Sequence, residues 1–129
     1  MESPSSLGRI GWIDLSVPNA GAVRDFYQAV VGWTTSEVPM GAYSDYCVHP
    51  QGEATPVAGI CHARGENAKL PPVWLIYVNV PDIDASLSRC VELGGAILDG
   101  PRSMGGMGRF AAIRDPAGAV MALFEPKRD

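Results

Sequence analysis

Apolar and polar residues alternate along Arg9–Pro18: Ile13, Leu15 and Val17 fall on one side, Trp12, Asp14 and Ser16 on the other. A period of two marks a strand with one apolar face. The period then lengthens. Val23, Phe26, Tyr27, Val30 and Val31 recur at helical spacing, behind Asn19 as a candidate N-cap and ahead of Gly32 as a stop. Short strands follow at about Thr34–Glu37, Tyr43–His49 and Thr55–Cys61.

The same plan returns sixty-three positions later, where "WIDLSVPN" (Trp12–Asn19) is echoed by "LIYVNVPD" (Leu75–Asp82). Ile76, Val78 and Val80 form one face there; Leu75, Tyr77 and Asn79 form the other. Asp82 is the cap, Ile83, Leu87, Cys90 and Val91 are the helical stripe, and Gly94 and Gly95 are the stop. Strands are expected at Ala96–Leu98, Gly108–Arg114 and Ala119–Phe124, with "HPQG" (His49–Gly52) and "DPAG" (Asp115–Gly118) as matching turns. Each half reads β-α-β-β-β, an α+β pattern in one domain of residues 1–129. Module one covers about 8–62, a polar, proline-ended linker about 63–72, and module two about 73–126. A unit that repeats in this way does not cover its own hydrophobic surface. Each helix is expected over its own apolar strand face. The opposite faces, carrying Trp12, Asp14, Ser16, Leu75, Tyr77 and Asn79, are expected to enclose a shared interior.

Composition narrows the partners. A net charge of −4 argues against nucleic acid, whose phosphates demand clustered cations. No apolar run approaches the ~20 residues of a membrane helix, and "MESPSSLGRI" lacks the charged and apolar regions of a secretory signal. Three cysteines, Cys47, Cys61 and Cys90, suit a reducing cytoplasm better than a disulfide framework. The expected location is cytoplasmic.

The stretches "WIDLSVPNAGAVRDFYQAVVGW", "VNVPDIDASLSRCVELGGAIL" and "GRFAAIRDPAGAVMALFEP" resemble the vicinal oxygen chelate superfamily, which holds glyoxalase I, extradiol dioxygenases and bleomycin-resistance proteins. The resemblance runs from about Gly8 to Pro126. It implies paired βαβββ modules forming a cupped mixed sheet with helices outside, a ligand cavity, and commonly a homodimer that buries strand-edge surface. It also implies a divalent metal held by His, Glu or Gln on inner strands. Carried over position by position, three of those ligands fall on Trp12, Leu75 and Ala122, none of which can donate to a hard cation. The fourth falls on Ala58, Ile60 or His62. No metal ligand is therefore assigned and no cofactor is expected, a divalent metal being the disfavoured alternative. Cys47 with His49, and Cys61 with His62, lack the spacings of a dedicated metal site and read as buried thiols beside turn histidines.

The expected binding residues are thus Trp12, Asp14, Ser16, Leu75, Tyr77, Asn79 and Ala122. Trp12 offers a wall for a ring, and Tyr77 and Asn79 offer hydrogen bonds. Asp14 is the candidate catalytic base, or else it pairs with Arg109, Arg114 or a partner chain. "GPRSMGGMGRF" (Gly100–Phe110) reads equally as a flexible hairpin or as a lid over the cavity mouth. The reading these features favour is metal-independent binding of a small, partly aromatic ligand. The alternative is a metal-dependent lyase, isomerase or dioxygenase that uses displaced ligands.

Overall fold

The computed structural model describes residues 6–127; the outermost ends of the expected domain lie outside them. Its element order is β1 (Ile10–Val17), α1 (Ala20–Val31), β2 (Thr34–Pro39), β3 (Ser44–His49), β4 (Ala58–His62), β5 (Leu75–Asn79), α2 (Ile83–Glu92), β6 (Ala96–Ser103), β7 (Gly108–Arg114) and β8 (Val120–Pro126). The protein is α+β, with two βαβββ repeats, and divides into two compact units, Ile13–Trp74 and the remainder.

In the first half the strands lie in the order β2-β3-β4-β1, and β1 runs parallel to β4. Leu15 and Val17 pack with Val48, Ala58 and Ile60 beneath α1, which contributes Ala20, Val23 and Tyr27. An aromatic group closes one end: the Trp74 indole N–H donates to the Tyr27 hydroxyl at 3.1 Å, and Trp33 stands 5.8 Å from each of those rings. Gly32 ends the helix at φ +82°, a conformation that costs glycine little, and its N–H reaches the Gln28 carbonyl. Asn19 stands at the N-cap and its carbonyl accepts the first helical bond, from the Val23 N–H, but its side chain makes no capping bond.

The second half runs β5-β8-β7-β6, and β5 is parallel to β8. Ile83 and Leu87 of α2 pack on Ala111, Ile113 and Leu123, with Val80, Cys90 and Met121 around them. Asp82 caps this helix in the expected way, its carboxylate accepting from the Ala85 N–H at 3.1 Å. Glu125 adds a second acceptor for the Ile83 N–H at 2.9 Å. The glycine pair divides its labour: Gly94 takes the positive φ, whereas Gly95 permits a close approach. A β-carbon on Gly95 would lie 2.9 Å from the Arg114 carbonyl oxygen.

The structure departs from the sequence reading on both helices. Phe26, Val30 and Val31 of α1 and Val91 of α2 are exposed instead of packed. β6 also extends to Ser103, five residues beyond the expected Leu98, through two irregularities in its pairing with β7.

Candidate functional site

The alternation of β1 puts Trp12, Asp14 and Ser16 on the side away from the α1 core, as the sequence requires. Cross-strand register extends that face in the first half. Asp14 lies opposite Gly59, which lies opposite Cys47, which lies opposite Ser36. One step along, Ser16 lies opposite Cys61. The face is therefore polar: two thiols among hydroxyls and carboxylates.

Its electrostatics are negative. Burial raises the Cys61 thiol well above its ordinary pKa, and the neighbouring Asp14 and Asp45 carboxylates push it further. Cys47 is raised by the same two influences, burial first and Asp14 second. Both thiols are held protonated, which makes them poor nucleophiles and poor metal ligands. Asp14 thus acts on two cysteines contributed by β3 and β4.

The histidines are occupied by their surroundings. The His62 backbone N–H donates to Asp45 Oδ1 at 2.8 Å, and His62 Nδ1 lies 3.3 Å from the same oxygen. The Tyr43 ring sits 5.1 Å from the imidazole. His49 Nε2 meets Ser36 Oγ at 2.8 Å, while its Nδ1 is enclosed without a hydrogen-bonding partner among the described residues. Also among the described residues, no three His, Cys, Asp or Glu side chains gather in an arrangement fit for a metal ion.

The corresponding face of the second half has the opposite character. Leu75 and Tyr77 are buried, and Tyr77 is in register with Ala122, which is in register with Ala112. Tyr77 lies 5.4 Å from Phe110, and the Arg102 guanidinium covers Phe110 at 4.6 Å. Arg102 also reaches Asp99 at 3.2 Å. At Leu75 and Ala122, two positions onto which the family resemblance carries metal ligands, the protein has packed apolar surface. Those residues do not fit a divalent cation, which needs oxygen or nitrogen donors to replace its lost waters.

Asn79 is engaged with the chain that leads into β1. Its side-chain N–H donates to the Ser6 carbonyl at 3.2 Å, and its backbone pairs with Gly8 and Arg9. Gly11 lies close beside it: a β-carbon there would come within 3.1 Å of the Asn79 amide oxygen, and the Asn79 side chain would have to give way by a few tenths of an ångström.

Sequence reasoning missed Asp45 and Arg102. Asp45 serves His62 and Arg102 covers Phe110, and no local motif announces either. Arg109, offered as a partner for Asp14, instead makes a bidentate pair with Asp84 at 2.9 Å, which ties the start of β7 to the first turn of α2. That pairing holds the Asp84 carboxyl below its ordinary range. In the Gly100–Phe110 segment, residues Gly105–Met107 form a short 3-10 turn between β6 and β7.

A groove of about 570 Å³ lies on the helix side of the second half, lined by Leu87, Val91, Ile97 and Pro101 with Asp84 and Glu92.

Comparison with known proteins agrees with this architecture. The family model described as Glyoxalase/Bleomycin resistance protein/Dioxygenase superfamily matches residues 9–123. "Putative glyoxylase CFP32" of Mycobacterium tuberculosis is 32% identical over 126 residues, covering 94% of this chain and 47% of the relative. "Anthracycline biosynthesis protein DnrV" of Streptomyces peucetius is 36% identical over 118 residues, covering 92% and 42%. The chain thus spans about half the length of the curated relatives it matches. Among solved structures, methylmalonyl-CoA epimerase from Mycobacterium tuberculosis is similar in fold, at TM-score 0.56 and 19% identity over 99% of this chain and 94% of that one.

Proposed function

The chain belongs to the Glyoxalase/Bleomycin resistance protein/Dioxygenase superfamily, and from that premise we propose that it binds a small, ring-bearing molecule without a metal ion. The observation that carries this reading is the row that β1 presents on the side away from the α1 core. Trp12, Asp14 and Ser16 set an indole, a carboxylate and a hydroxyl on one side of a single strand. An indole favours a flat ring, and the carboxylate favours a hydrogen-bond donor or a cationic group on the same ligand. Leu75, Tyr77, Asn79 and Ala122 belong to the second half's contribution to binding. DnrV supports the ligand class through its name, which places it in anthracycline biosynthesis.

No bond-breaking step is assigned. The thiols are held protonated, and the three positions onto which the family resemblance carries metal ligands are Trp12, Leu75 and Ala122. The protein acts in the cytoplasm, where its three free cysteines stay reduced, and it acts as a homodimer.

The test is equilibrium titration with an anthracycline, followed by quenching of tryptophan fluorescence, in buffer containing a chelator. Saturable binding that survives the chelator and weakens at least about tenfold in Trp12→Ala, a loss of about 1.4 kcal/mol, supports the reading. Stoichiometric zinc, iron, manganese or nickel in the purified protein, lost together with activity in His62→Ala, overturns it. So does a Trp12→Ala protein that loses stability alone.

A further inference from the structure

Asp45 engages only one edge of the His62 imidazole. Its buried carboxylate accepts the His62 backbone N–H at 2.8 Å, a bond that fixes the oxygen, and the same Oδ1 stands 3.3 Å from Nδ1. A carboxylate at Nδ1 favours the tautomer with its proton there, which leaves the lone pair on Nε2. That nitrogen has no hydrogen-bond partner among the described residues and is not enclosed, in a side chain 18% exposed. An imidazole backed by a carboxylate on one nitrogen and open on the other is oriented to accept a proton. Among the described residues no set of donors gathers beside it, so it is not arranged to hold a metal.

The surroundings limit what could bring that proton. His62 lies opposite Val17 and two residues from Ile60, on the α1 side of β4, and so does not share the face of Trp12, Asp14 and Ser16. The Tyr43 ring meets the imidazole at 5.1 Å, nearly edge to face, and Tyr46 stands at 6.2 Å. Each ring carries a guanidinium, Arg64 over Tyr43 at 4.1 Å and Arg24 over Tyr46 at 4.6 Å. Arg24 is occupied by Asp25 at 2.9 Å. Arg64 has no ion pair among the described residues, and neither tyrosine hydroxyl has a hydrogen-bond partner among them. All these groups belong to one compact unit, Ile13–Trp74. A proton acceptor, two flat walls and an uncommitted cation thus stand in one cluster.

We propose that His62 is a general base for the hydrolysis of small aromatic esters that carry a carboxylate, with Asp45 as its positioning residue and Arg64 as the group that holds the carboxylate. A water molecule gives a proton to Nε2 as its oxygen bonds to the acyl carbon. The bond from the acyl carbon to the leaving oxygen then breaks, and that oxygen takes the proton back from Nε2. Ester and water become acid and alcohol, with nothing oxidised or reduced. The tyrosine hydroxyls are donors for the carbonyl oxygen while it holds charge. Asp45 stabilises the transient imidazolium without itself being protonated. The proposal is independent of the ligand on the β1 face.

The experiment follows hydrolysis of para-acetoxybenzoate, and of its methyl ester as the neutral counterpart, in buffer containing a chelator. Wild type is expected to act saturably on the carboxylate, to exceed an equal concentration of free imidazole, and to slow in deuterium oxide. His62→Gln is expected to lose at least about a hundredfold in kcat/KM. Asp45→Asn keeps an acceptor for the His62 backbone and is expected to lose about ten- to a hundredfold in kcat at an unchanged KM. Arg64→Gln is expected to raise KM about tenfold for the carboxylate alone. A wild type no faster than imidazole, or an activity that His62→Gln keeps, overturns the base. An Arg64→Gln protein that treats both esters as wild type does overturns the substrate class. Should His62→Gln not fold, activity that survives carbethoxylation of the imidazoles in the folded wild type overturns the base equally. Anthracycline binding is expected to be the same in His62→Gln as in wild type, so this proposal and the ring-ligand reading fail separately.

Discussion

Replacing Ala122 by Glu would put an acidic side chain at a position onto which the family resemblance carries a metal ligand, and the structure says what that would cost. Ala122 is 0% exposed, and its register neighbours are Tyr77 on β5 and Ala112 on β7. Four further heavy atoms must fit where a methyl group now fills the space, and overpacking of this kind costs about 1–3 kcal/mol. The carboxylate also loses its water without gaining a donor, for roughly another 2 kcal/mol before it escapes by protonation. The expected loss is about 3–5 kcal/mol, or a fall in Tm of about 10–20 °C for a chain of this size. The sign with pH follows from linkage. Burial raises the folded-state pKa above the unfolded value near 4.3, so the penalty is present at neutral pH and shrinks as pH falls toward 4. Urea titrations of wild type, Ala122→Ser and Ala122→Glu at pH 7 and pH 5 measure all of this. Added zinc should not restore Ala122→Glu, since neither Trp12 nor Leu75 donates a second ligand. A variant of wild-type stability with no pH dependence would refute the closed apolar site, and rescue by zinc would refute the argument against metal.

Other outcomes follow from the same geometry. Cys61 should resist a thiol reagent at pH 7.5 until the protein unfolds. Because its folded pKa is raised, the stability it confers is full below the unfolded thiol pKa of about 8.5 and is lost as pH rises above it, visible as a falling urea midpoint between pH 8 and 10. Arg102→Ala should cost about 3 kcal/mol, because it strands the buried Asp99 carboxylate; adding Asp99→Ala should recover part of that loss in the same urea assay. The Asp84 carboxyl should titrate below its ordinary range by NMR and return to that range in Arg109→Gln.

The duplicated pattern was a strong guide to the fold because its causes are local. Alternation placed β1, β5, β7 and β8 within a residue or two, and Asp82 and Gly32 marked helix ends through bonds made within one turn. Where the reading slipped, the deciding interaction was distant in sequence. The Ile83 N–H found Glu125, forty-two residues away. β6 outran Leu98 because β7 offers a partner as far as Arg109, and no feature of Gly100 or Pro101 alone suggests a strand. Periodicity also cannot count faces. Phe26 and Val30 fit the helical stripe as well as Tyr27 does, yet only Tyr27 lies over the core.

The candidate site was legible in its strand positions and illegible in its balance of charge. That Trp12, Asp14 and Ser16 share a side follows from the pleat alone. That the first half's face is polar and acidic, while the second half's is aromatic and capped by a guanidinium, depends on which residues of β3, β4, β6 and β7 come into register with it. Asp45 illustrates the difficulty: in sequence it is one polar residue between Ser44 and Tyr46, but in the structure its carboxylate serves the His62 backbone and imidazole and raises the Cys61 thiol. A family expectation of four metal ligands directs attention to positions 12, 75 and 122. The charge on the first half's face sits at Asp14 and Asp45, beside Cys47 and Cys61, whose thiols both stay protonated. The proposed ligand is both flat and hydrogen-bond-donating, and an anthracycline probe tests the two properties at once: if the proposal holds, Trp12→Ala should weaken its binding through the ring, and Asp14→Asn through the donor.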